Sequence, residues 1–178
     1  MISIRKDGGM KRLIERLNHL LEKYYQRSRA QSTRRLITEL IILSFLLKLI
    51  PAIAVGLTGI DPDTLQSTTD VNAQEGIAFL FVAAVLVSPL VETIFGQWFL
   101  LWLTSWFTSR RLWLLLIPAT LFAAMHVYAG WINFFFVFPP SLIFTWCFMV
   151  NREHSRWKAV WTTTFVHFVH NAVAVGLY

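Results

Sequence analysis

Residues 36–57 read LITELIILSFLLKLIPAIAVGL, with Glu39 and Lys48 as the only charges. The apolar residues follow one another instead of recurring at amphipathic spacing, for a length that matches the roughly 20 helical residues needed to cross a bilayer core of about 30 Å. This run predicts a transmembrane helix. Outward from it, residues 76–107, 112–128, 131–150 and 158–177 have the same character, the first of these being long enough to hold a break at Pro89. The expected fold is therefore an all-α, polytopic membrane bundle of about five transmembrane helices. In 178 residues of 56% hydrophobic content it forms one domain, 36–178, preceded by a basic segment, 1–35.

The formal charge of +6 raises nucleic acid as a partner, and its distribution argues against one. Ten of the sixteen Lys and Arg residues lie in the first 36 positions, five more lie in two short loops, and Lys48 alone sits inside an apolar run. The loop 58–75 carries Asp61, Asp63, Asp70 and Glu75 without a cation, whereas the loops at Arg110 and Arg111 and at Arg152, Arg156 and Lys158 are basic. A cytoplasmic amino terminus followed by five alternating spans puts every basic loop inside, as the positive-inside rule requires. Trp102, Trp106, Trp113, Trp157 and Trp161 then fall near the inner ends, where amphipathic rings prefer the headgroup level. The expected location is the plasma membrane of a bacterium.

Within the basic segment, MKRLIERLNHLLEKYY (10–25) places Met10, Leu13, Ile14, Leu17, Leu20, Leu21, Tyr24 and Tyr25 at helical spacing among Lys11, Arg12, Arg16 and Lys23. This is a basic amphipathic helix, expected to lie on an anionic lipid surface with its apolar stripe buried; a partner helix is the other occupant of such a stripe. The first long apolar run has no small-residue cleavage pattern, so the first span is expected to stay attached. Cys147, the only cysteine, lies between Trp146 and Phe148 and reads as packing.

The informative positions are polar groups inside the spans, since a charge at the bilayer centre costs roughly 2.5–3.5 kcal/mol even on lenient scales. They are Glu39 and Lys48 on the first span, Glu92, Thr93 and Gln97 on the second, His126 on the third, and His167, His170 and Asn171 on the fifth. Glu92 follows Pro89 in SPLVETIFGQ, which points to a polar pocket. A carboxylate removed from water is a stronger base, suited to taking a proton from water at neutral pH; the plainer role is a structural, protonated or paired acid. A lone histidine such as His126 is ordinarily a packing or interfacial residue, here sharing a helix face with Phe122. His167 and Asn171 share a face that can hold a water, a metal or an oxyanion, or simply bond between helices. Counting about 1.5 Å per residue from the inner ends puts Glu92 and His126 roughly 22 Å up and His167 roughly 15 Å up, near enough to meet.

In order along the chain, Glu92-Thr93-x-x-x-Gln97 after Pro89, Phe122-x-x-x-His126 and His167-x-x-x-Asn171 resemble the three motifs of the CPBP family of intramembrane proteases, which includes CAAX prenyl endopeptidases and bacteriocin-related immunity proteins. The family pattern has Glu-Glu-x-x-x-Arg where this chain has Thr93 and Gln97; both charges are exchanged together, and a neutral Thr–Gln hydrogen bond could replace a Glu–Arg pair at that spacing. The resemblance implies that Glu92 activates the hydrolytic water, that His126 holds that water or a metal, and that His167 with Asn171 binds the oxyanion. Thr93, Gln97, Phe122 and His170 would support them. It leaves the cofactor open between none and one zinc ion on Glu92, His126 and His167. A His-Glu-x-x-His helix is absent and no serine or cysteine has a paired base. The expected activity is hydrolysis of a membrane-associated peptide or protein, with a catalytically silent binding or immunity protein as the alternative. Ion transport is disfavoured by the lack of an internal repeat.

Overall fold

The computed structural model describes residues 7–59 and 81–176. Among them the chain is helical throughout with no strand: α1 (Asp7–Ala30), α2 (Thr33–Thr58), α3, α4 (Arg111–Ala124), α5 (Asn133–Arg152) and α6 (Arg156–Gly176). α3 runs on through Phe81–Val87, Ser88–Glu92, Thr93–Phe99 and Leu100–Ser105. Thr33–Thr58, Val82–Ser105 and Asn133–Arg152 are each long and apolar enough to cross a membrane, and the protein is an all-α membrane bundle. The acidic stretch expected as a loop lies, apart from Thr58 and Gly59, outside the described residues.

α5 is the central helix. From Ile143 to Asn151 every side chain is buried, a helix apolar on all sides being one that other helices surround. It packs against α2, α4 and α6. α2 shows the complementary pattern: Leu36, Leu40 and Ser44 are buried, while Ile42, Leu46, Leu49, Ile50, Ile53 and Leu57 form an exposed apolar face that lipid matches and water would not. The helix opens on the Ser32 hydroxyl, which accepts from the Arg35 amide, and closes on Gly59, whose φ of 66° an L side chain adopts only with strain.

α1 departs from a helix whose whole apolar stripe lies on lipid, and it extends beyond 10–25 in both directions. Leu21, Tyr24 and Tyr25 pack into the protein core, while Met10, Leu13, Leu17 and Leu20 stay exposed. The docked part crosses the ends of α4 and α5. Asn18 Oδ1 accepts from the Leu112 amide at 3.0 Å, capping α4 from another helix, and Arg29 pairs with Glu153 at 2.9 Å. The Tyr25 hydroxyl lies 2.6 Å from a Glu153 carboxylate oxygen and 2.9 Å from the Met149 carbonyl. The Arg111 guanidinium sits 3.5 Å above the Tyr25 ring and pairs with Glu22. The basic connections thus gather with α1 at one end of the bundle, where Trp102, Trp106, Trp113, Trp157 and Trp161 are exposed.

Burial and the Glu153 hydrogen bond push the Tyr25 phenol up to about 12, whereas Arg111 holds the Glu22 carboxyl below its ordinary value of 4.5. A depressed carboxyl contributes stability above its unfolded value and loses it as pH falls through its folded value. Spin labels on His19→Cys and Ser155→Cys are therefore expected to keep one narrow distance distribution above pH 4.5 and to broaden below it, and Glu22→Gln to give the loosened dock already at neutral pH. The pair is partly exposed and stabilises by no more than about 1 kcal/mol, so the bundle itself stays folded.

Candidate functional site

The site starts from the winding of α3. Pro89 has no N–H to donate and its ring crowds the preceding turn, so the ordinary helix cannot pass it undisturbed. Instead of the expected break, α3 continues with wider, π-type turns at Phe81–Val87 and Thr93–Phe99 on either side of Ser88–Glu92. Such turns rotate the side chains that follow and recur at functional sites. Here they deliver Glu92 to the gap between α3, α4 and α6. The Ser88 hydroxyl, one turn earlier, donates to Glu92 Oε1 and leaves Oε2 free to face other partners.

The third expected span, 112–128, is helical only to Ala124, about 21 Å of rise and short of a full crossing. The chain then tightens into a 3₁₀ turn at Val127–Ala129, and His126 at the junction takes φ −95° and ψ 0°. This shortening sets the imidazole at the helix end. His126 Nδ1 lies 2.9 Å from the Phe122 carbonyl, which only accepts, so Nδ1 carries the proton and Nε2 presents its lone pair in the neutral ring. Nε2 stands 3.9 Å from Glu92 Oε2.

From α6, His167 brings its Nε2 to 3.5 Å from the same oxygen. Its ring is fixed by stacking on Phe144 of α5, with centroids 4.2 Å apart and planes inclined by 23°. The side chains of Glu92 and His126 are 26% and 22% accessible against 5% for His167, so the cluster opens on the Glu92–His126 side and is closed behind His167. Separations of 3.5 and 3.9 Å are too long for direct hydrogen bonds and suit one water bridging the three groups.

The other expected residues divide. Phe122 is buried between the histidines, its ring centroid 4.8 Å from that of His126 and 6.2 Å from that of His167. Asn171 lies one turn beyond His167 on the same face of α6, with Nδ2 donating to the Ala84 carbonyl at 2.9 Å, so one amide hydrogen is committed to α3. His170 points away from Glu92 towards α2, 3.0 Å from Ser44 Oγ. Thr93 and Gln97 are fully buried but do not bond to each other: Thr93 Oγ1 and both amide atoms of Gln97 have no partner among the described residues. The widened turn explains this, since it removes the i, i+4 alignment on which the expected pair depends.

Among the described residues no three His, Cys, Asp or Glu groups stand at metal-holding spacing, while Glu92 Oε2, the oxygen that faces both histidines, is left free by the Ser88 bond to Oε1. The steps below are those of water and the side chains themselves.

Ser88, Phe144 and Gly96 went unnoticed in the sequence. The first is recoverable as a hydroxyl one turn before Glu92; the others become visible only in three dimensions. Gly96 lets α3 and α4 close: a Cβ there would lie 2.2 Å from Phe122 Cδ2 and 2.7 Å from Cε2, deep in the ring that separates the histidines. Gly96→Ala is expected to cost about 1–3 kcal/mol and to lower activity by displacing His126. Thermal unfolding and turnover of the reconstituted variant check both, and wild-type values in each would show that the ring moves aside freely.

A family model described as type II CAAX prenyl endopeptidase Rce1-like matches residues 74–173, which include every residue of the cluster. No curated protein and no solved structure matches.

Proposed function

The chain belongs to the Rce1-like family of type II CAAX prenyl endopeptidases, a family of proteases, and from that premise we propose that it is an intramembrane endopeptidase working through Glu92. The observation that carries this reading is the convergence of one Glu92 oxygen on the Nε2 atoms of His126 and His167, inside the bundle and open on one side.

The water bridging Glu92 Oε2 and His126 Nε2 gives its proton to the carboxylate as its oxygen attacks the peptide carbonyl carbon. Charge then develops on the carbonyl oxygen, where His167 and the second amide hydrogen of Asn171 supply donors. The tetrahedral intermediate collapses with loss of the C–N bond, and Glu92 returns its proton to the departing nitrogen. The products are one new carboxyl and one new amino terminus, with one water consumed. Ser88 and Phe144 hold Glu92 and His167 in place without touching the reacting atoms.

The α1 end is assigned to the cytoplasm of a bacterial cell, because its cations would otherwise be translocated. The exposed stripe Met10, Leu13, Leu17 and Leu20, bordered by Arg16 and Lys23, rests there on lipid headgroups. A silent, binding-only member of the family is the second reading, favoured by Thr93 and Gln97 having no side-chain partner among the described residues where the family pattern carries charges. Incubating the reconstituted protein with prenylated and unprenylated membrane peptides, with mass spectrometry of the products, separates the two. New peptide ends at a defined position are expected; uncleaved peptides that nevertheless bind the folded protein would favour the silent reading.

A further inference from the structure

At the basic end of the bundle, α1, the connection from α3 to α4 and the end of α5 enclose a cleft of about 330 Å³ that the site above does not use. Its walls carry Glu22 from α1, Ser105, Thr108 and Ser109 from the end of α3 and the connection, Arg111 from α4, and Arg152 with Glu153. The charges on these walls are unevenly matched. Arg111 pairs with Glu22 and lies over the Tyr25 ring, while Glu153 pairs with Arg29 and accepts from the Tyr25 hydroxyl. Both carboxylates are thereby engaged, and Arg152 is left over. Among the described residues its guanidinium forms no ion pair and no hydrogen bond, although the side chain is half-buried; the Glu153 charge is felt there without forming a pair. A guanidinium presents its donors in a planar fork that matches the oxygens of a phosphate.

The hydroxyls beside it add donors. Thr108 Oγ1 accepts from the Arg110 amide at 3.2 Å, so its own proton remains to be given, and the exposed Ser109 hydroxyl forms no bond among the described residues. One unmatched cation with two hydroxyl donors suits an oxyanion.

The surroundings decide where that anion comes from. Trp102 and Trp106, on either side of Ser105, are exposed with ring centroids 4.4 Å apart, and exposed Phe99 continues the row at 5.8 Å from Trp102. Residues 99, 102 and 106 share one face of α3, so an apolar track leads from the Ser105 wall of the cleft along a helix long enough to cross the membrane. Tryptophan rings mark the headgroup level. A cationic cleft at that level, with an apolar track running from it into the hydrocarbon region, is shaped for a phosphate that carries acyl chains.

We propose that this cleft is a lipid site, in which Arg152 and the hydroxyls of Thr108 and Ser109 hold the phosphate of an interfacial phospholipid whose acyl chain lies along Phe99, Trp102 and Trp106. The site is separate from Glu92 and does not depend on the endopeptidase reading. Because its walls come from α1, the α3–α4 connection and the end of α5, a bound lipid ties the three together and stabilises the folded bundle by mass action.

The test follows thermal unfolding of the full-length protein in a neutral detergent as dioleoylphosphatidylglycerol is titrated. Beside it run dioleoylglycerol, which lacks the phosphate, and inorganic phosphate, which lacks the chains. The phospholipid is expected to raise the unfolding temperature saturably, and the other two to leave it unchanged at the same concentrations. Arg152→Gln should raise the half-saturating concentration of phospholipid about tenfold or more, whereas Arg156→Gln, which removes an exposed cation outside the cleft, should not. Ser109→Phe fills the cleft from an exposed position and should give the same loss, even where Arg152→Gln does not fold. A wild-type response in Ser109→Phe or in folded Arg152→Gln overturns the proposal. So do equal losses in Arg152→Gln and Arg156→Gln, which would leave only a diffuse attraction of basic loops to lipid. Saturation by inorganic phosphate would overturn the lipid source, and stabilisation by dioleoylglycerol would overturn the phosphate contact.

Discussion

Glu92→Gln, folded and inserted as wild type, is expected to hydrolyse its peptide roughly 100- to 10,000-fold more slowly, with little change in peptide binding. Glutamine preserves the volume of the side chain and can still accept from Ser88, so the fastening of α3 survives. What disappears is the carboxylate that both histidines face, and an amide does not take a proton from water. The loss belongs in kcat, because the proton moves only as the transition state is reached. Glu92→Asp is a finer probe: withdrawing the carboxylate by one methylene lengthens separations already at 3.5 and 3.9 Å and is expected to leave a small residual rate.

His167→Phe is expected to lower kcat by about 100- to 1,000-fold, the cost of one preorganised donor to the developing oxyanion. Phenylalanine is chosen because the imidazole is buried and stacked on Phe144; alanine would leave a cavity and confound chemistry with packing. With an aromatic ring retained at that position, thermal unfolding should remain near wild type while turnover falls. A variant that unfolds early and keeps its rate per folded molecule would reduce His167 to a packing residue.

How much of this was legible in the sequence depends on whether a feature is local. The apolar run of α2 and the amphipathic pattern of α1 are local, and both became helices. So was the disturbance at Pro89, although its form was not: a proline in a membrane helix can be met by a break or by wider turns, and the packing of α3 on α4 and α6 decides which. The premature end of α4 was hidden because residues 112–128 are apolar enough to continue; the backbone turn at His126 does not show in composition. Spacing put Thr93 and Gln97 one turn apart, and the widened winding undid that pairing. It likewise put His167, His170 and Asn171 on one helix, but which neighbour each meets is a tertiary fact: His167 reaches Glu92, Asn171 reaches Ala84, and His170 turns to Ser44. The division of the α1 stripe between core and surface is of the same kind, set by Tyr25 meeting Glu153 and Arg111 rather than by its own periodicity.

The most direct test of the central claim is single-turnover cleavage in water enriched with ¹⁸O by the reconstituted wild-type protein, beside Glu92→Gln. Direct attack by a glutamate-activated water predicts one ¹⁸O atom in the new carboxyl group of the product, at a rate that collapses in Glu92→Gln. Cleavage that proceeds at the wild-type rate in Glu92→Gln, or no cleavage of any membrane peptide by the folded wild type, would contradict it.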